Sequence, residues 1–168
     1  MENIFCSDNY EDAAFVYQHL FDYNVSKVGP IDFVELPKDK LFYTLIAKDE
    51  SGNRLGGLVY EYKDEHEIYV SCLWLSQALR GHGAGLKLLE MLKEEARHKN
   101  CVRITLYTST FQAPEFYPKA GFSLFKKVPT PKRPDYDDYY FEYILPPEVA
   151  SGKNGKKKYD RFGRKHRN

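Results

Sequence analysis

Residues 80–85 read Arg80-Gly81-His82-Gly83-Ala84-Gly85, which places three glycines within five positions. This stretch follows an apolar run at 68–75 and precedes residues 86–99, where leucines recur at helical spacing. Glycines let the backbone turn so that several N–H groups point together at a helix N-terminus, where phosphate or pyrophosphate binds without a side-chain cation. The stretch therefore predicts a strand, a loop and a helix that hold a phosphate-bearing cofactor.

Other interpretations of the glycine stretch remain open at this point. A tight connection between a strand and a helix needs glycines for geometry alone. A Walker loop requires Gly-Lys followed by Ser or Thr, and the chain has no such sequence. A dinucleotide fingerprint has the spacing G-x-G-x-x-G and an acidic residue after the second strand, whereas here the spacing is G-x-G-x-G and the strand at 102–107 leads into Thr108-Ser109. Both of these nucleotide-binding motifs are therefore disfavoured.

Length and composition bound the class of protein. The chain has 168 residues, of which 42% are hydrophobic and 15% aromatic, and this predicts one domain with a substantial core. No apolar run reaches the roughly 18 residues of a membrane helix, and the N-terminus lacks the pattern of a signal peptide. Cys6, Cys72 and Cys101 are odd in number and far apart, so we expect free, mostly buried thiols in a reducing cytoplasm. No metal-binding motif is present, and we expect no metal and no membrane partner.

The charge is distributed unevenly along the chain. Residues 151–168 carry eight Lys or Arg and the single acid Asp160, whereas residues 1–150 carry 17 basic and 23 acidic residues. This division predicts a folded domain at 1–147 and a basic, disordered tail at 148–168. The charge of the tail suits RNA, DNA or an acidic protein, and a solvated tail without a dedicated partner is the alternative.

Hydrophobic periodicity predicts the element order β-α-β-β-β-α-β-α-β-β. The predicted strands are 4–6, 40–47, 54–62, 66–75, 102–107, 122–126 and 139–145. The first helix is predicted to be capped by Ser7 or Asp8, with residues 24–38 as a loop or a broken helix, and the later helices are predicted at 86–99 and 113–119. A run of strands between helices favours the α/β class with a mixed sheet over a doubly wound sheet.

With these elements placed, the chain resembles the GNAT superfamily of N-acetyltransferases. The pyrophosphate loop of that family reads Q/R-x-x-G-x-G/A, and Arg80, Gly83 and Gly85 fill it between strand and helix. A second motif of the family, A-x-x-F/L-Y-x-K-x-G-F, is similar to residues 113–122, and the hairpin sequence at 56–58 also fits. The resemblance covers about residues 4–145, and residues 110–117 look like a bacterial branch with the phrase F-S-F-Q-A-P-E-F-Y.

The resemblance implies a single GNAT-like domain whose central, mostly antiparallel sheet splays between strands 4 and 5, with helices on both faces. It also implies acetyl-CoA as cosubstrate. Tyr117 would stand near the thioester sulfur as a proton donor to the leaving thiolate, with a packing role as the alternative. Thr110 stands where many members have an asparagine that bonds the pantetheine arm, so that contact is expected to be weaker. The residues implied to bind the cofactor are Leu73, Leu75, Arg80, Gly81, His82, Gly83, Ala84, Gly85 and Thr110.

The sequence does not single out a general base. Glu61, His66 and Glu67 lie on predicted strands, where strand-edge or surface roles are more common than a catalytic one. Tyr69 occupies the position at which protein-acetylating relatives can carry a glutamate, which disfavours a histone-type mechanism. Tyr60 and Tyr62 occupy alternate positions of the preceding strand. Together with Tyr69, they are candidates to line an acceptor pocket.

The sequence thus favours a cytoplasmic, acetyl-CoA-dependent N-acetyltransferase, either a monomer or a homodimer. We expect it to transfer the acetyl group to an amine of a small molecule or a protein, directly and within a ternary complex. An acetyl-cysteine intermediate at Cys72 is the less favoured route, because that residue lies in an apolar strand. The alternative function is a non-catalytic module that binds acetyl-CoA and docks RNA or a ribosomal or acidic partner through the basic tail.

Overall fold

The structure is a computed structural model that describes residues 3–131 and 133–146. Its elements have the predicted order, with one additional 3-10 turn at Thr110–Gln112. The strands are β1 (Asn3–Ser7), β2 (Tyr43–Lys48), β3 (Arg54–Tyr62), β4 (Glu67–Leu75), β5 (Arg103–Ser109), β6 (Ser123–Thr130) and β7 (Arg133–Ile144). The helices are α1 (Tyr10–Val28), α2 (Ala84–His98) and α3 (Phe116–Lys119).

The seven strands form one sheet in the order β1-β2-β3-β4-β5-β7-β6. All neighbours are antiparallel except β4 and β5, which are parallel and are connected through α2. A parallel pair requires such a crossover connection, whereas hairpins are sufficient elsewhere. The mixed α/β sheet that the strand run predicted is therefore confirmed.

The parallel pair is short, and the sheet opens beside it. Glu67–Tyr69 of β4 pair with 103–105 of β5, and beyond these residues the two strands diverge. On the opposite edge of β4, Cys72 pairs with Val59 and Val70 pairs with Tyr60, so Ser71 is the extra residue of a β-bulge. The predicted splay between the fourth and fifth strands is confirmed, and we call this opening the β4–β5 gap.

Helices cover both faces of the sheet, as the resemblance implied. On one face, Leu88, Leu89 and Leu92 of α2 pack into the larger core cluster, which also contains Tyr117 of α3. On the other face, Ala13 and Val16 of α1 pack into a smaller cluster. The bulge at Ser71 changes the alternation of β4, so that residues 70 and 73 contact the α2 cluster whereas 72 and 74 contact the α1 cluster.

The first helix differs from its prediction at both ends. Its N-cap is Asn9, whose side chain accepts the Glu11 N–H at 2.9 Å, because Ser7 still belongs to β1. The helix does not break at residue 24 but continues to Val28. Tertiary contacts explain the extension: the Tyr23 hydroxyl donates to the Phe111 carbonyl at 3.2 Å, which holds the last turns against β5 and the residues that follow it.

Two further predictions were wrong near the C-terminal end of the described chain. The third helix is shorter than 113–119, because Ala113 adopts a left-handed backbone conformation with φ +52° and α3 begins only at Phe116. The prolines at 129, 131 and 134 predicted a loop, but β6 and β7 form a hairpin through this region. Pro129 is tolerated because β6 is an edge strand, where a missing N–H costs no ladder hydrogen bond.

Some predictions can be compared only with the described residues. Cys72 and Cys101 are buried as expected, Cys6 is half-buried, and all three are free thiols. No helix within the described ranges is both long and apolar enough to cross a membrane. The proposed boundary at 147 and the basic tail at 148–168 lie outside the described residues.

One buried carboxylate fastens α1 to the sheet. Asp12 is 3% exposed, and its Oδ1 accepts the Arg54 Nε–H at 2.6 Å and lies 3.7 Å from Lys48 Nζ. Burial alone would raise the pKa of Asp12, but hydrogen bonds with Ser7 and Arg54 and the charge of Lys48 outweigh it, so that the pKa is lowered. The ionised form is therefore the one that stabilises the fold.

We expect Asp12→Asn to lower the free energy of unfolding by about 1–3 kcal/mol at pH 7, because a charged hydrogen bond is lost at a buried site. A lowered pKa contributes stability above the unfolded value of about 3.9 and loses it as the pH falls through the folded value. The difference between variant and wild type should therefore shrink below about pH 4. Urea unfolding at several pH values measures this difference in stability. Equal stability of the variant and the wild type at pH 7 would contradict a stabilising role of the ionised Asp12.

Candidate functional site

A cavity of about 690 Å³ lies at the β4–β5 gap. Its wall takes residues from α1, β4, the glycine stretch, the N-terminal end of α2, β5 and α3. The two strands part after residues 69 and 105, so that side chains from both faces of the sheet reach the same space. The cavity therefore exists because of the splay.

The glycine stretch forms the loop that leads into α2. Gly81 and Gly83 have φ +78° and +81°, a left-handed conformation that glycine adopts without strain, and both line the cavity. Gly83 is the N-cap of α2, and neither a side-chain cap nor an acidic residue occupies the first turn. The N–H groups at the positive end of the helix dipole are thus left for an anion, which fits a pyrophosphate.

Gly85 permits close packing of the same loop against α3. A Cβ built at Gly85 would lie 2.9 Å from Cζ of Phe116, a distance that real side chains do not show. The absence of a side chain therefore lets the first turn of α2 pack directly against α3. Ala84 beside it is buried in the cavity wall. The two sequence motifs, which are separate in the chain, are in contact in the fold.

Arg80 links the glycine loop to β4 and α1. Its Nε donates to the Leu75 carbonyl at 2.8 Å, and its guanidinium lies 5.3 Å from the ring centre of Tyr23 and 6.0 Å from that of Trp74. These contacts join the end of β4 to α1. His82, by contrast, is exposed and does not line the cavity.

Leu73 and Leu75, which the resemblance implied as cofactor-binding residues, line the cavity. The edge of β4 that faces the gap has no strand partner after Tyr69 among the described residues. Thr110 lies elsewhere: its hydroxyl donates to the Asp137 carbonyl at 3.2 Å and accepts the Asp137 N–H at 2.9 Å, and the residue does not line the cavity. The structure thus gives no support to a cofactor contact by Thr110.

Tyr117 lines the cavity and is only 8% exposed. The rings of Phe116, Phe122 and Phe141 surround it at centroid distances of 5.2, 6.1 and 5.5 Å. Its hydroxyl makes no hydrogen bond with another described residue. Burial raises the pKa of this phenol, so the hydroxyl carries its proton at neutral pH.

Lys93 stabilises the C-terminal end of α3 through a hydrogen bond to Ala120. This lysine of α2 is 4% exposed, and its Nζ donates to the Ala120 carbonyl at 2.5 Å and to Glu90 at 2.6 Å. The same ammonium lies 4.4 Å from the ring centre of Tyr143. The turn that carries Tyr117 is therefore held by a charge-assisted hydrogen bond as well as by packing.

Cys72 and Ser71 form the β4 wall beside the bulge. Burial raises the pKa of the Cys72 thiol to about 12, so the thiol is almost entirely protonated at neutral pH. The Ser71 hydroxyl is inaccessible and has no hydrogen-bond partner within the described part of the chain. The bulge thus places one inert thiol and one unpartnered hydroxyl in this wall.

The candidate bases do not line the cavity. Glu61 forms an ion pair with Lys40, and His66 is exposed beside Glu65. Glu67 accepts the Thr105 hydroxyl at 2.7 Å and lies 3.2 Å from Lys63. Burial alone would raise the pKa of Glu67, but these hydrogen bonds outweigh it and lower the pKa.

The tyrosines of β3 and β4 do not form an acceptor pocket, because none of them lines the cavity. Tyr60 is fully buried on the α2 face, where its ring stacks on Tyr43 at 5.5 Å. Tyr62 donates its hydroxyl to Glu95 at 2.7 Å. Tyr69 lies under the ammonium of Lys63, 5.0 Å from the ring centre. That interpretation was wrong, because alternation along β3 directs its tyrosines toward α2.

Sequence reasoning missed the α1 side of the cavity. Tyr17, Phe21 and Asn24 of α1 line it, and their spacing of i, i+4 and i+7 was a readable signal. Gln112 joins this wall to β5: its Nε2 donates to Asn24 Oδ1 at 2.7 Å, and its Oε1 accepts the Thr108 hydroxyl at 3.2 Å. These contacts explain why the last turns of α1 remain helical.

No group of three or more His, Cys, Asp or Glu side chains in the described ranges is placed to hold a metal ion. The site therefore consists of an anion-binding helix end, an open strand edge and a buried phenol around one cavity.

The part of the chain that forms the cavity is similar to known proteins. The model of the acetyltransferase (GNAT) family matches residues 5–122, which span the elements that line the cavity. Blasticidin-S acetyltransferase from Streptomyces morookaense is 33% identical over 108 residues, which is 64% of this chain and 75% of that protein. The match thus covers most of the relative.

Solved structures agree with the fold. An acetyltransferase from Bacillus cereus ATCC 14579 has a TM-score of 0.57 and 26% identity, and the match covers 83% of this chain and 95% of that one. A candidate streptothricin acetyltransferase from Bacillus anthracis str. Ames, solved in complex with acetyl coenzyme A, has a TM-score of 0.54. It is 20% identical over 69% of this chain and 70% of its own, and it supports the fold alone.

Proposed function

The chain belongs to the acetyltransferase (GNAT) family, and on that premise we propose that it is an acetyl-CoA-dependent N-acetyltransferase. The acceptor is an amine, and transfer is direct within a ternary complex. One observation carries the proposal: a single cavity joins the uncapped N-terminus of α2 to the unpartnered hydroxyl of Tyr117. The acetyltransferase activity of the relative from Streptomyces morookaense supports the same reaction class.

The residues present fit the cosubstrate. The N–H groups of Gly81–Gly85 would hold the pyrophosphate, because the helix end has neither a cap nor an acid of its own. The open edge of β4 at Leu73 and Leu75 would bind the pantetheine amides as an added strand would. The Leu75 carbonyl already accepts a hydrogen bond from Arg80 Nε, so the pantetheine arm would use the N–H of Leu75 and not its carbonyl.

Bound acetyl-CoA supplies the acetyl group as a thioester, whose C–S bond breaks as the neutral amine nitrogen bonds to the carbonyl carbon. Tyr117 then donates its hydroxyl proton to the departing sulfur. The phenolate regains a proton as the product nitrogen loses one, so the protein ends unchanged. The apolar rings around Tyr117 keep water from competing with the amine at this position.

The state of Cys72 supports direct transfer. Its thiol lines the cavity, but with a pKa of about 12 it offers almost no thiolate to form an acetyl-enzyme. We expect Cys72→Ala to retain kcat/KM within about three-fold and the intact protein to gain no acetyl mass from acetyl-CoA alone. Loss of activity together with an acetylated wild-type chain would contradict direct transfer.

The test of the function is release of CoA thiol from acetyl-CoA, followed over a panel of primary amines. Isothermal titration with CoA provides an independent measurement of the cosubstrate site. We expect micromolar or tighter CoA binding and amine-dependent thiol release. A folded chain that binds neither CoA nor acetyl-CoA would contradict the proposal.

A further inference from the structure

Part of the cavity lining lies on the α1 face of the sheet. We define the α1-side mouth by Tyr17, Phe21, Asp32 and Tyr107, all of which line the cavity. Leu106 belongs to the α2-side core, so the next residue, Tyr107, faces the other way. Ala84 and Tyr117 belong to the α2-side core, so these two cosubstrate residues lie across the sheet from this mouth.

The α1-side mouth carries one fixed negative charge. Among the described residues that line the cavity, Asp32 is the only acid, and Arg80 is the only base. Arg80 is already bound to the Leu75 carbonyl. Burial raises the pKa of the phenols of Tyr17 and Tyr107, so both are neutral at physiological pH. Of the described residues that define this mouth, Asp32 is therefore the one that carries a charge.

Asp32 stands on a segment that is fastened on both sides. The next residue, Phe33, packs edge-on against Phe21 at 4.8 Å between ring centres. On the other side, Arg133 donates to the Val28 carbonyl at 2.7 Å and to the Pro30 carbonyl at 3.3 Å. These contacts place the carboxylate at the mouth instead of leaving it on a free loop.

Within residues 3–131 and 133–146, the Asp32 carboxylate has no partner of its own. It forms neither a hydrogen bond nor an ion pair with another residue in the described ranges. Its exposure leaves it hydrated, and its acceptor sites are open to a ligand. The aromatic rings of Tyr17, Phe21 and Tyr107 line the same cavity, and such rings can attract a cation over their faces and pack against a hydrocarbon body.

We propose that the α1-side mouth selects a small acceptor with two basic nitrogens, of which Asp32 binds the one that is not acetylated. The inference rests on the proposed function. The reacting nitrogen must lose its proton before it attacks, and a carboxylate beside it would favour the protonated form. Asp32 is therefore suited to a distal ammonium or guanidinium group, which stays charged throughout transfer while the aromatic rings hold the part of the molecule between the two nitrogens.

The test compares two amines that differ only in the second charge. The probes are 1,4-bis(aminomethyl)benzene and 4-methylbenzylamine, each titrated calorimetrically into the CoA-bound protein. We expect the diamine to bind about five-fold more tightly, the upper range for an exposed ion pair. Asp32→Asn should abolish the preference, and higher salt should reduce it in wild type. Asp39→Asn is the matched control, because Asp39 is an exposed acid of the same segment that does not line the cavity.

The outcomes separate the inference from the function. Equal affinity for the two probes, or a preference that survives in Asp32→Asn, overturns the inference and leaves the proposed function intact. A chain that binds CoA but neither probe also overturns it. A chain that fails to bind CoA contradicts the proposed function, and the inference falls with it.

Discussion

Tyr117→Phe is expected to lower kcat by about 10²–10⁴-fold, the usual effect of removing a positioned proton donor. The phenol is buried in the cavity wall, has no hydrogen-bond partner in the described chain, and keeps its proton because burial raises its pKa. Phenylalanine preserves the packing against the neighbouring rings. CoA affinity should therefore stay near that of wild type, and single-turnover kinetics would measure the chemical step itself.

Tyr60→Phe provides the control for this experiment. Tyr60 is a fully buried tyrosine on the same face of the sheet, and it does not line the cavity. Removal of the Tyr60 hydroxyl should leave kcat close to the value of the wild-type protein. If Tyr117→Phe also leaves the single-turnover rate unaltered, Tyr117 is a packing residue and the assignment of the proton donor is wrong.

Gly83→Val is expected to weaken CoA binding by about 100-fold, which corresponds to losing one or two charge-assisted hydrogen bonds of roughly 1.5–3 kcal/mol each. The position has φ +81° at the N-cap of α2, where a β-branched residue is strained. Its Cβ would meet no protein atom within 4 Å, so it would enter the space that we assign to the pyrophosphate.

Gly52→Val separates ligand exclusion from backbone strain. Gly52 has φ +85° and an equally open surrounding, and it lies in the turn between β2 and β3, outside the cavity. Both variants should lose similar stability in thermal unfolding, but only Gly83→Val should lose CoA affinity in calorimetry. Equal CoA affinity in the two variants would place the pyrophosphate elsewhere.

Local features were readable from the chain alone. The conformations of the glycine loop, α2 and β3 are determined largely by residues that are close in sequence. Glycine permits the turn of the loop. A period of 3.6 residues in α2 and of 2 residues in β3 determines which face of each element is buried. Arg54–Tyr62 is the strand that the sequence predicted at 54–62. The order of elements and the membership of the GNAT family followed from two short motifs, whose contact through Gly85 and Phe116 the structure then showed. The narrower likeness to one bacterial branch stays a prediction.

The site required the tertiary structure, because its parts meet only through long-range contacts. The cavity exists because β4 and β5 separate after three residue pairs, a property of strand twist and of the bulge at Ser71 that no local pattern encodes. Likewise, α1 extends to Val28 because residues 111 and 112 bind its last turns, and Asp32 reaches the cavity because Arg133 and Phe33 fasten its segment. Sequence determined which elements form and the family that they build. Only the packing of distant segments decided which side chains face the cavity, since their free energy comes from contacts that the chain makes after it folds.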